Sequence, residues 1–235
     1  MSSTLSQSGE VIGVGEWVQP IAKENLSDRA YASLRSALMR GHLKPGERLR
    51  LRPLSARFGI SATPMREALL RLVSERALTL DARGTVLVPS LTHSQLMEIR
   101  SIRIDLEGRA AAKAAERASR EAVDGIERIN AEIQVCHRTQ DFERAVDLNT
   151  EFHLELCRIA DLPILYEIVQ SLWVRCGPIL SHLYDAGLPD WEPHPHVRLI
   201  RALRERDAVN AYAAIEEDIV RGGQGLLDHV SKDTR

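Results

Sequence analysis

The stretch from Arg52 to Leu78 constrains the fold most, because its pattern predicts two short helices joined by a tight turn. Gly59 falls where the backbone has to turn, and glycine tolerates a positive φ. Ser61 is a good N-cap for the second helix, and Pro64 sits in its first turn, where a missing N–H costs little. The apolar face of this second helix comprises Met65, Ala68, Leu69, Leu72 and Val73. Such a pair, with polar and cationic residues at the exposed start of the second helix, is typical of a helix-turn-helix that enters the DNA major groove.

A short hairpin is predicted directly after the second helix. Its apolar positions flank a turn with glycine, and they are Leu78, Leu80, Val86 and Val88. The turn itself is Ala82-Arg83-Gly84, so Arg83 would lie at the tip, near a phosphate or the minor groove. A hairpin in this position predicts a winged helix-turn-helix.

The charge distribution separates this module from the rest of the chain. Residues 23–91 carry 13 Lys and Arg against 6 Asp and Glu, a balance of +7, whereas residues 92–235 carry 18 against 25, a balance of −7. The basic module is suited to bind nucleic acid, and the acidic module is expected to bind a different kind of ligand. Chance surface composition is the alternative, but the split coincides with the end of the motif.

From Thr92 onward the apolar pattern is helical throughout. Thr92 and Gln95 form a capping box for a long helix that ends near Arg117. Five further helices are predicted, around 126–136, 145–159, from 163 onward, 196–206 and 208–230. Gly177-Pro178 should kink the fourth of these six helices, and Gly222-Gly223 should weaken the sixth. The fold class is therefore mainly α: an N-terminal winged helix-turn-helix joined to an antiparallel six-helix bundle.

These patterns divide the chain into three parts. Residues 1–22 are predicted to be a flexible N-terminal arm, residues 23–91 the winged helix-turn-helix DNA-binding domain, and residues 92–235 an all-helical effector-binding and dimerisation domain. The cysteines are odd in number and without a CxxC pair, as expected for buried thiols in a reducing cytoplasm: Cys136, Cys157 and Cys176. The sequence has no apolar run of membrane-spanning length and no signal pattern, so we expect a soluble cytosolic protein.

Four polar residues of the bundle could hold a divalent metal. Asn149 and His153 are four residues apart and hence neighbours on one helix face, His196 starts the fifth helix, and Asp218 lies in the sixth. Bundle interiors are where nitrogen and oxygen ligands converge from several helices. From spacing alone, however, ordinary hydrogen-bonded core residues are the commoner explanation.

Arg103 stands in the apolar stripe of the first bundle helix, where an aliphatic side chain is expected. A guanidinium that faces a core needs a partner. One possibility is an internal ion pair with a bundle carboxylate, and the other is a clamp on the carboxylate of a ligand, which arginine suits by its bidentate geometry. Arg100 shares part of this face.

The motif residues from Arg35 to Gly84 resemble the N-terminal domain of GntR-type bacterial transcription regulators over about residues 23–91. The most specific part runs from Thr63 to Leu69, after Phe58-Gly59-Ile60-Ser61. The resemblance implies DNA contacts at Arg52, Ser61, Thr63, Arg66, Arg83 and Gly84. Ala62 stands where relatives usually carry arginine, which removes a donor pair for a guanine edge, so the operator should differ from that of typical members.

The bundle resembles the all-helical, FCD-like ligand domain of the FadR-type branch of this family. Asn149-x-x-Phe152-His153 is similar to its D/N-x-x-F-H motif, and the segment from His196 to Asp207 is similar to its second histidine helix. Members commonly hold a divalent metal with one Asp or Asn and three His. At the matching positions of this sequence, the resemblance implies the ligand set Asn149, His153, His196 and Asp218, in which Asp218 replaces a histidine. The metal would be Zn, Ni or Mn, with the second oxygen ligand favouring a harder ion; His194 is either a substitute ligand or a solvated loop residue.

The sequence thus predicts a cytoplasmic, homodimeric transcription regulator, not an enzyme, that binds a pseudo-palindromic double-stranded DNA operator. Repression released by a ligand is the expected mode, since most members work in this way. The expected effector is a small carboxylic acid or sugar acid held by Arg103 and Arg100. Two alternatives are a metal-dependent hydrolase-like bundle, which lacks a nucleophile–base pair or an HExxH motif, and a DNA-binding protein whose bundle only dimerises.

Overall fold

The computed structural model describes residues 26–185, 187 and 193–233. The predicted N-terminal arm, residues 1–22, lies outside the described residues. The mainly α fold is confirmed, with a winged helix-turn-helix followed by a helical domain. No helix in the described ranges combines the length and apolar character needed to cross a membrane.

In the part that the structure describes, the N-terminal domain has three helices and three two-residue strands. They are α1 (Leu26–Met39), β1 (Arg48–Leu49), α2 (Leu51–Phe58), α3 (Ala62–Ser74), β2 (Thr79–Leu80) and β3 (Val86–Leu87). Gly59 ends α2 in the left-handed conformation (φ +65°), which glycine adopts without a Cβ clash. Ser61 has the extended backbone of an N-cap, but its side chain makes no capping hydrogen bond. The predicted turn is therefore present without its predicted side-chain cap.

The wing is a three-stranded antiparallel sheet in the order β1-β3-β2. The hairpin of β2 and β3 turns at Gly84 (φ +74°), as the sequence predicts. β1 pairs Arg48 with Leu87 and Leu49 with Val86. From the sequence, Pro45-Gly46 predicts only a turn over residues 42–50. Two residues are too few to show alternation, and the partner strand is far away in sequence, so no local signal marks β1.

The second domain contains seven α-helices within the described residues. They are α4 (His93–Arg117), α5 (Arg120–Thr139), α6 (Phe142–Ile159), α7 (Pro163–Cys176), α8 (Pro195–Glu205), α9 (Ala208–Glu217) and α10 (Gln224–Asp233). The capping box is formed: Gln95 N–H donates to Thr92 Oγ1, and Thr92 N–H donates to Gln95 Oε1. Phe152 and Trp173 are among the largest fully buried side chains of the core.

Two of the predicted bundle helices are interrupted. In the fourth, the α-helical part ends at Cys176 and a 3₁₀ segment, Gly177–His182, follows directly. The change occurs here because Pro178 lacks the N–H that an α-helix would need. The sixth is divided into α9 and α10 by a π-helical turn, Asp218–Gly222. Such π turns frequently occur at functional sites.

The two domains meet where the end of α1 packs against α7 and the 3₁₀ segment. A Cβ on Gly177 would lie 2.1 Å from the carbonyl oxygen of Leu38, so only glycine permits this approach. The side chain of Val174, from α7, is buried in the core of the N-terminal domain. His42 Nε2 lies 2.9 Å from Asp147 Oδ1 on α6. Backbone contact, apolar burial and a polar pair thus join the domains at one place.

Candidate functional site

The bundle encloses a cavity of about 350 Å³. Its wall combines aromatic, basic, acidic and amide side chains, including Arg103, Gln134, Asn149, His153, Trp173 and His196. Asp218, on the π turn, and Tyr184, after the 3₁₀ segment, complete one side. The volume falls within the usual range of small-molecule sites.

Three of the four predicted metal ligands converge in this cavity. His153 Nε2 lies 3.1 Å from Asp218 Oδ2, and His196 Nε2 lies 3.3 Å from Asp218 Oδ1. All three residues are buried, and one donor atom from each lies within 4.8 Å of the others. They come from α6, α8 and the π turn, so the fold brings together residues that are far apart in sequence.

Asn149 lies one helical turn before His153 and lines the same cavity, half-buried. His194 also lines the cavity, so it is not the solvated loop residue that one interpretation of the sequence suggested. Its Nδ1 accepts a hydrogen bond from the His196 N–H at 3.1 Å, and this caps α8. Burial, followed by the proximity of His196, lowers the pKa of His194 to about 3.

Both histidine rings of the cluster are oriented through Nδ1. His153 Nδ1 lies 2.8 Å from Glu107 Oε2, and His196 Nδ1 lies 3.3 Å from Asn130 Oδ1. If Nδ1 carries the proton that donates to these oxygens, Nε2 is left to face Asp218. An oriented histidine with a carboxylate behind it is the usual arrangement at a protein metal site.

His196 Nε2 is a buried nitrogen to which none of the described residues supplies a hydrogen bond. It lies near Asp218 Oδ1, but the geometry does not make a hydrogen bond. Buried polar atoms without a partner are rare, and a cation bound between His153, His196 and Asp218 would satisfy this one. The donor set of two imidazoles and one carboxylate therefore fits a divalent transition metal.

The charges around His153 favour its protonated form when no cation is bound. Burial alone would lower the pKa of His153, but the hydrogen bonds and charges of Asp218 and Glu107 outweigh it and raise the pKa to about 9. Burial disfavours the charged form of Asp218, yet His196 and His153 hold its pKa well below the usual range. Binding of a metal to His153 Nε2 would have to displace that proton.

Arg103 forms the internal ion pair that was one of its two predicted roles. Its Nε donates to Glu107 Oε1 at 2.6 Å and its Nη2 donates to Oε2 at 3.3 Å. The guanidinium also lies over the Trp173 ring, 4.0 Å from the ring centroid, and Trp173 Nε1 donates to Glu107 Oε1 at 3.0 Å. Arg103 nevertheless lines the cavity, so the ion pair and a contact with a bound ligand are compatible.

Glu107 is a central residue of the candidate site that sequence reasoning did not single out. It is 1% exposed and links Arg103, His153 and Trp173. Burial disfavours its charge, but Arg103 and His153 lower its pKa to about 2. The available signal was its spacing, because it follows Arg103 by four residues on one helix.

Arg100 is not part of the cavity wall. It borders a smaller neighbouring pocket, which Arg103 lines as well as the cavity. Arg100 and Arg103 are three positions apart on α4, so their side chains differ by about 60° in direction around the helix axis and are displaced along it. Arg100 therefore shares part of a helix face with Arg103 without reaching the same cavity. The predicted direct contact of Arg100 with a ligand is therefore not supported by this geometry.

The residues predicted to contact DNA are accessible to solvent in the N-terminal domain. All six are exposed: Arg52, Ser61, Thr63, Arg66, Arg83 and Gly84. Arg66 and Gly84 border the same groove between α3 and the wing. At the wing tip, Asp81 Oδ1 accepts hydrogen bonds from the N–H groups of Arg83 and Thr85 at 2.9 and 2.8 Å. The turn is thereby fixed while the Arg83 side chain stays accessible.

Comparison with known proteins is consistent across both domains. Residues 26–88 match the profile of the bacterial regulatory proteins of the gntR family, and residues 98–221 match that of the FCD domain. The chain is 37% identical over 178 residues to the HTH-type transcriptional regulator McbR of Escherichia coli (strain K12), covering 74% of this chain and 80% of the relative. It is also 24% identical over 177 residues to the gluconate operon transcriptional repressor of Bacillus subtilis (strain 168), covering 75% and 70%. A solved structure of E. coli McbR/YncC has a TM-score of 0.80 and 31% identity, over 91% of this chain and 100% of that one.

Proposed function

Because this chain belongs to the gntR family of bacterial regulatory proteins and carries an FCD domain, we propose that its operator affinity is controlled by a small carboxylate bound at a divalent metal. The protein is a DNA-binding transcription regulator and not an enzyme. The hydrolase-like alternative is therefore set aside. Within the family, the histidine and asparagine motifs of α6 and α8 support the FadR-type branch, and we assign residues 23–91 to DNA binding and 92–235 to effector binding and dimerisation in the cytoplasm.

The observation that carries the metal proposal is the convergence of His153, His196 and Asp218, with the unsatisfied His196 Nε2 among them. Asn149 is the proposed fourth ligand from the same cavity wall. Imidazole ligands suit Zn and Ni, whereas a set with two oxygen donors also admits Mn. Glu107 and Asn130 would orient the two histidines from behind.

The charge of the cavity supports an anionic effector. With a metal bound and His153 neutral, Arg103 and the ion bring three positive charges against the two negative charges of Glu107 and Asp218, which leaves about +1. A carboxylate would neutralise this excess while filling an open coordination position. Gln134 lines the cavity, and its buried Nε2 has no hydrogen-bond partner in the described part of the chain, so it is a candidate donor to such a ligand.

The 3₁₀ segment supports a route from the cavity to the DNA-binding domain. Leu180, within the segment, lines the cavity, and Gly177, at its start, lies against the backbone of α1. A ligand that shifts this segment would bias the position of α1 and with it the DNA-binding head. Repression relieved by the effector is the mode we propose.

The metal proposal is tested by metal analysis of the purified protein and of H153A. We expect wild type stripped with EDTA to take up Zn²⁺, Ni²⁺ or Mn²⁺ and to melt at a higher temperature when loaded, since a ligand at 100 times its Kd stabilises the folded state by about 2.7 kcal/mol. H153A should lose this uptake at the cavity and any response to acids, but should still bind DNA. Equal metal-dependent stabilisation of wild type and H153A would contradict the proposal.

The effector class is tested by screening small carboxylates and sugar acids, with gluconate included because a relative regulates a gluconate operon. A rise in melting temperature that requires both the acid and the metal is the expected result. R103K keeps the charge but loses the bidentate geometry, so it should lower the affinity for the acid more than the affinity for the metal. If no acid or metal shifts the melting temperature, the alternative of a bundle that only dimerises is favoured.

The dimer proposal is supported by exposed apolar residues on the bundle. Ile164 and Ile168, one turn apart on α7, are 70% and 45% exposed. Light scattering should give a dimer at micromolar concentration, and footprinting should show a pseudo-palindromic site. A monomer in the DNA complex would contradict this assignment.

A further inference from the structure

Helix α5 contributes a second polar group to the cavity wall, apart from the proposed metal ligands on α6, α8 and the π turn. Gln134, His137 and Arg138 all line the cavity, and their spacing of three and four residues places them on one face of α5. We infer, in an extension that rests on the proposed function, that this face binds a second carboxylate. The effector would then be a dicarboxylic acid, held at the metal by one end and at Arg138 by the other.

Arg138 is a cation to which the described part of the chain supplies no ion-pair partner, whereas Arg103 is held by Glu107. Its place in the last turn of α5 is favourable beside the helix dipole, which accounts for a cation there but not for its position on the cavity wall. The side chain is also exposed, so it lies where the cavity opens to solvent. A guanidinium in this position can bind a carboxylate through two parallel N–H donors.

The neighbouring side chains on this face supply hydrogen-bonding groups without charge. Burial, followed by the proximity of His196, lowers the pKa of His137, so its ring is neutral at pH 7, and its Nε2 lies 3.1 Å from the Tyr184 hydroxyl oxygen. The buried Nε2 of Gln134, for which the described residues provide no acceptor, can donate to a carboxylate oxygen. Of the three α5 side chains, Arg138 therefore carries the positive charge.

The α5 face lies near enough to the proposed metal ligands for one small molecule to contact both. The ring centroids of His196 and His194 are 4.6 Å apart, and those of His194 and His137 are 6.4 Å apart. The same cavity is lined by apolar side chains, including Leu180 and Leu226, which suit the hydrocarbon part of such an acid.

The charge balance of the cavity favours two carboxylates over one. The metal, Arg103, Glu107 and Asp218 together leave about +1, which a single carboxylate would neutralise. Arg138 raises this balance to about +2, and a dianion would neutralise it. An exposed cation at the opening also attracts anions before they bind.

The test measures the binding of matched acids to the full-length protein in Zn²⁺-containing buffer by isothermal titration calorimetry. Each diacid is paired with the monoacid of the same carbon number: succinate with butyrate, glutarate with pentanoate, and adipate with hexanoate. In wild type, at least one diacid should bind about tenfold more tightly than its monoacid, the effect of one charge-assisted hydrogen bond. R138Q should bind that diacid about tenfold more weakly and the monoacid as wild type does. R128Q, which replaces an exposed arginine of α5 outside the cavity wall, is the matched control and should keep the preference.

Equal affinities of the paired acids in wild type, or a diacid preference that R138Q retains, would overturn this inference and leave the proposed carboxylate effector intact. An equal loss of both acids in R138Q would do the same, because it would show no selective contact with the second carboxylate. Failure of every acid in both series to bind wild type would overturn the inference together with the proposed function. Chelation of free Zn²⁺ by a diacid acts on all three proteins alike, so it does not alter the comparison between them.

Discussion

The cavity and the predicted DNA-facing surface, which includes Arg66 and Arg83, hold their charged side chains in opposite ways. In the cavity, Glu107 is engaged by Arg103, His153 and Trp173 before any ligand arrives. On the DNA-facing surface, Arg66 and Arg83 are exposed. A buried charge must be paired to be tolerated, whereas an exposed one remains hydrated until a phosphate or base replaces the water. Substitutions in the cavity should therefore change the free energy of unfolding, whereas substitutions on the surface should change the affinity for DNA.

The largest effect is expected from E107A. It leaves the Arg103 guanidinium buried without its carboxylate, while His153 keeps its contact with Asp218. Breaking a buried ion pair from one side costs about 3–5 kcal/mol. The free energy of unfolding in urea measures this cost. E116A is the control, because Glu116 pairs with Lys113 on the exposed face of the same helix and should change stability little. Equal effects of the two substitutions would remove the distinction between cavity and surface.

R66A should show the reverse pattern. Losing a bidentate base contact from the exposed side of α3 costs about 1–3 kcal/mol of binding per half-site, while the unfolding curve stays unchanged. Fluorescence anisotropy with a labelled operator at fixed salt measures the loss. R128A, which removes an exposed arginine from the bundle, is the control. Operator affinity equal to that of wild type would show that Arg66 does not read a base.

G177A probes the junction between the two regions. The added Cβ would collide with the Leu38 carbonyl, and overpacking of this kind costs about 1–3 kcal/mol. We expect lower stability together with altered operator affinity. G125A is a matched helix substitution, because a Cβ there meets only the Arg128 side chain at 3.7 Å. It should be neutral or stabilising by about 0.5–1 kcal/mol. Unchanged stability in G177A would mean that the domains separate freely at this contact.

The smallest effect is expected from R83A, as a change in salt dependence. If the wing-tip arginine contacts one phosphate in each protomer, the slope of log affinity against log salt should decrease in magnitude by about 1.8 for the dimer, or about 0.9 per contact. Affinity for operator and for random DNA should fall by the same factor, since a phosphate contact carries no sequence information. A larger loss on the operator than on random DNA would instead assign Arg83 to base recognition.

The sequence predicted the helices well because their signals are local. The periodic apolar face of α3, the break at Gly59 and the capping box at Thr92 all lie within a few residues of the feature they define. β1 was missed because its pairing partner, β3, is nearly forty residues away and only two residues pair. At Gly177-Pro178, proline predicted an interruption, but whether the helix bends or ends depends on the packing of α1, which the sequence does not display.

The candidate site was predictable to the extent that family motifs encode it. His153, His196 and Asp218 were carried over from the resemblance, and the structure brings them together. Spacing alone could not reveal that Arg103 is already paired, because the i to i+4 relation to Glu107 is common on exposed helix faces as well. The π turn that supplies Asp218 had only Gly222-Gly223 as a signal.

The burial of Val174 in the core of the N-terminal domain has a consequence for how such regulators can be recombined. The packed core of the DNA-binding domain extends beyond residue 91 and includes one residue of α7. In a chimera joined near residue 91, the valine of this bundle would pack against the α1 helix of a different family member. Exchange of heads between family members should therefore succeed more often when the residues of α7 that face α1 are transferred with the head.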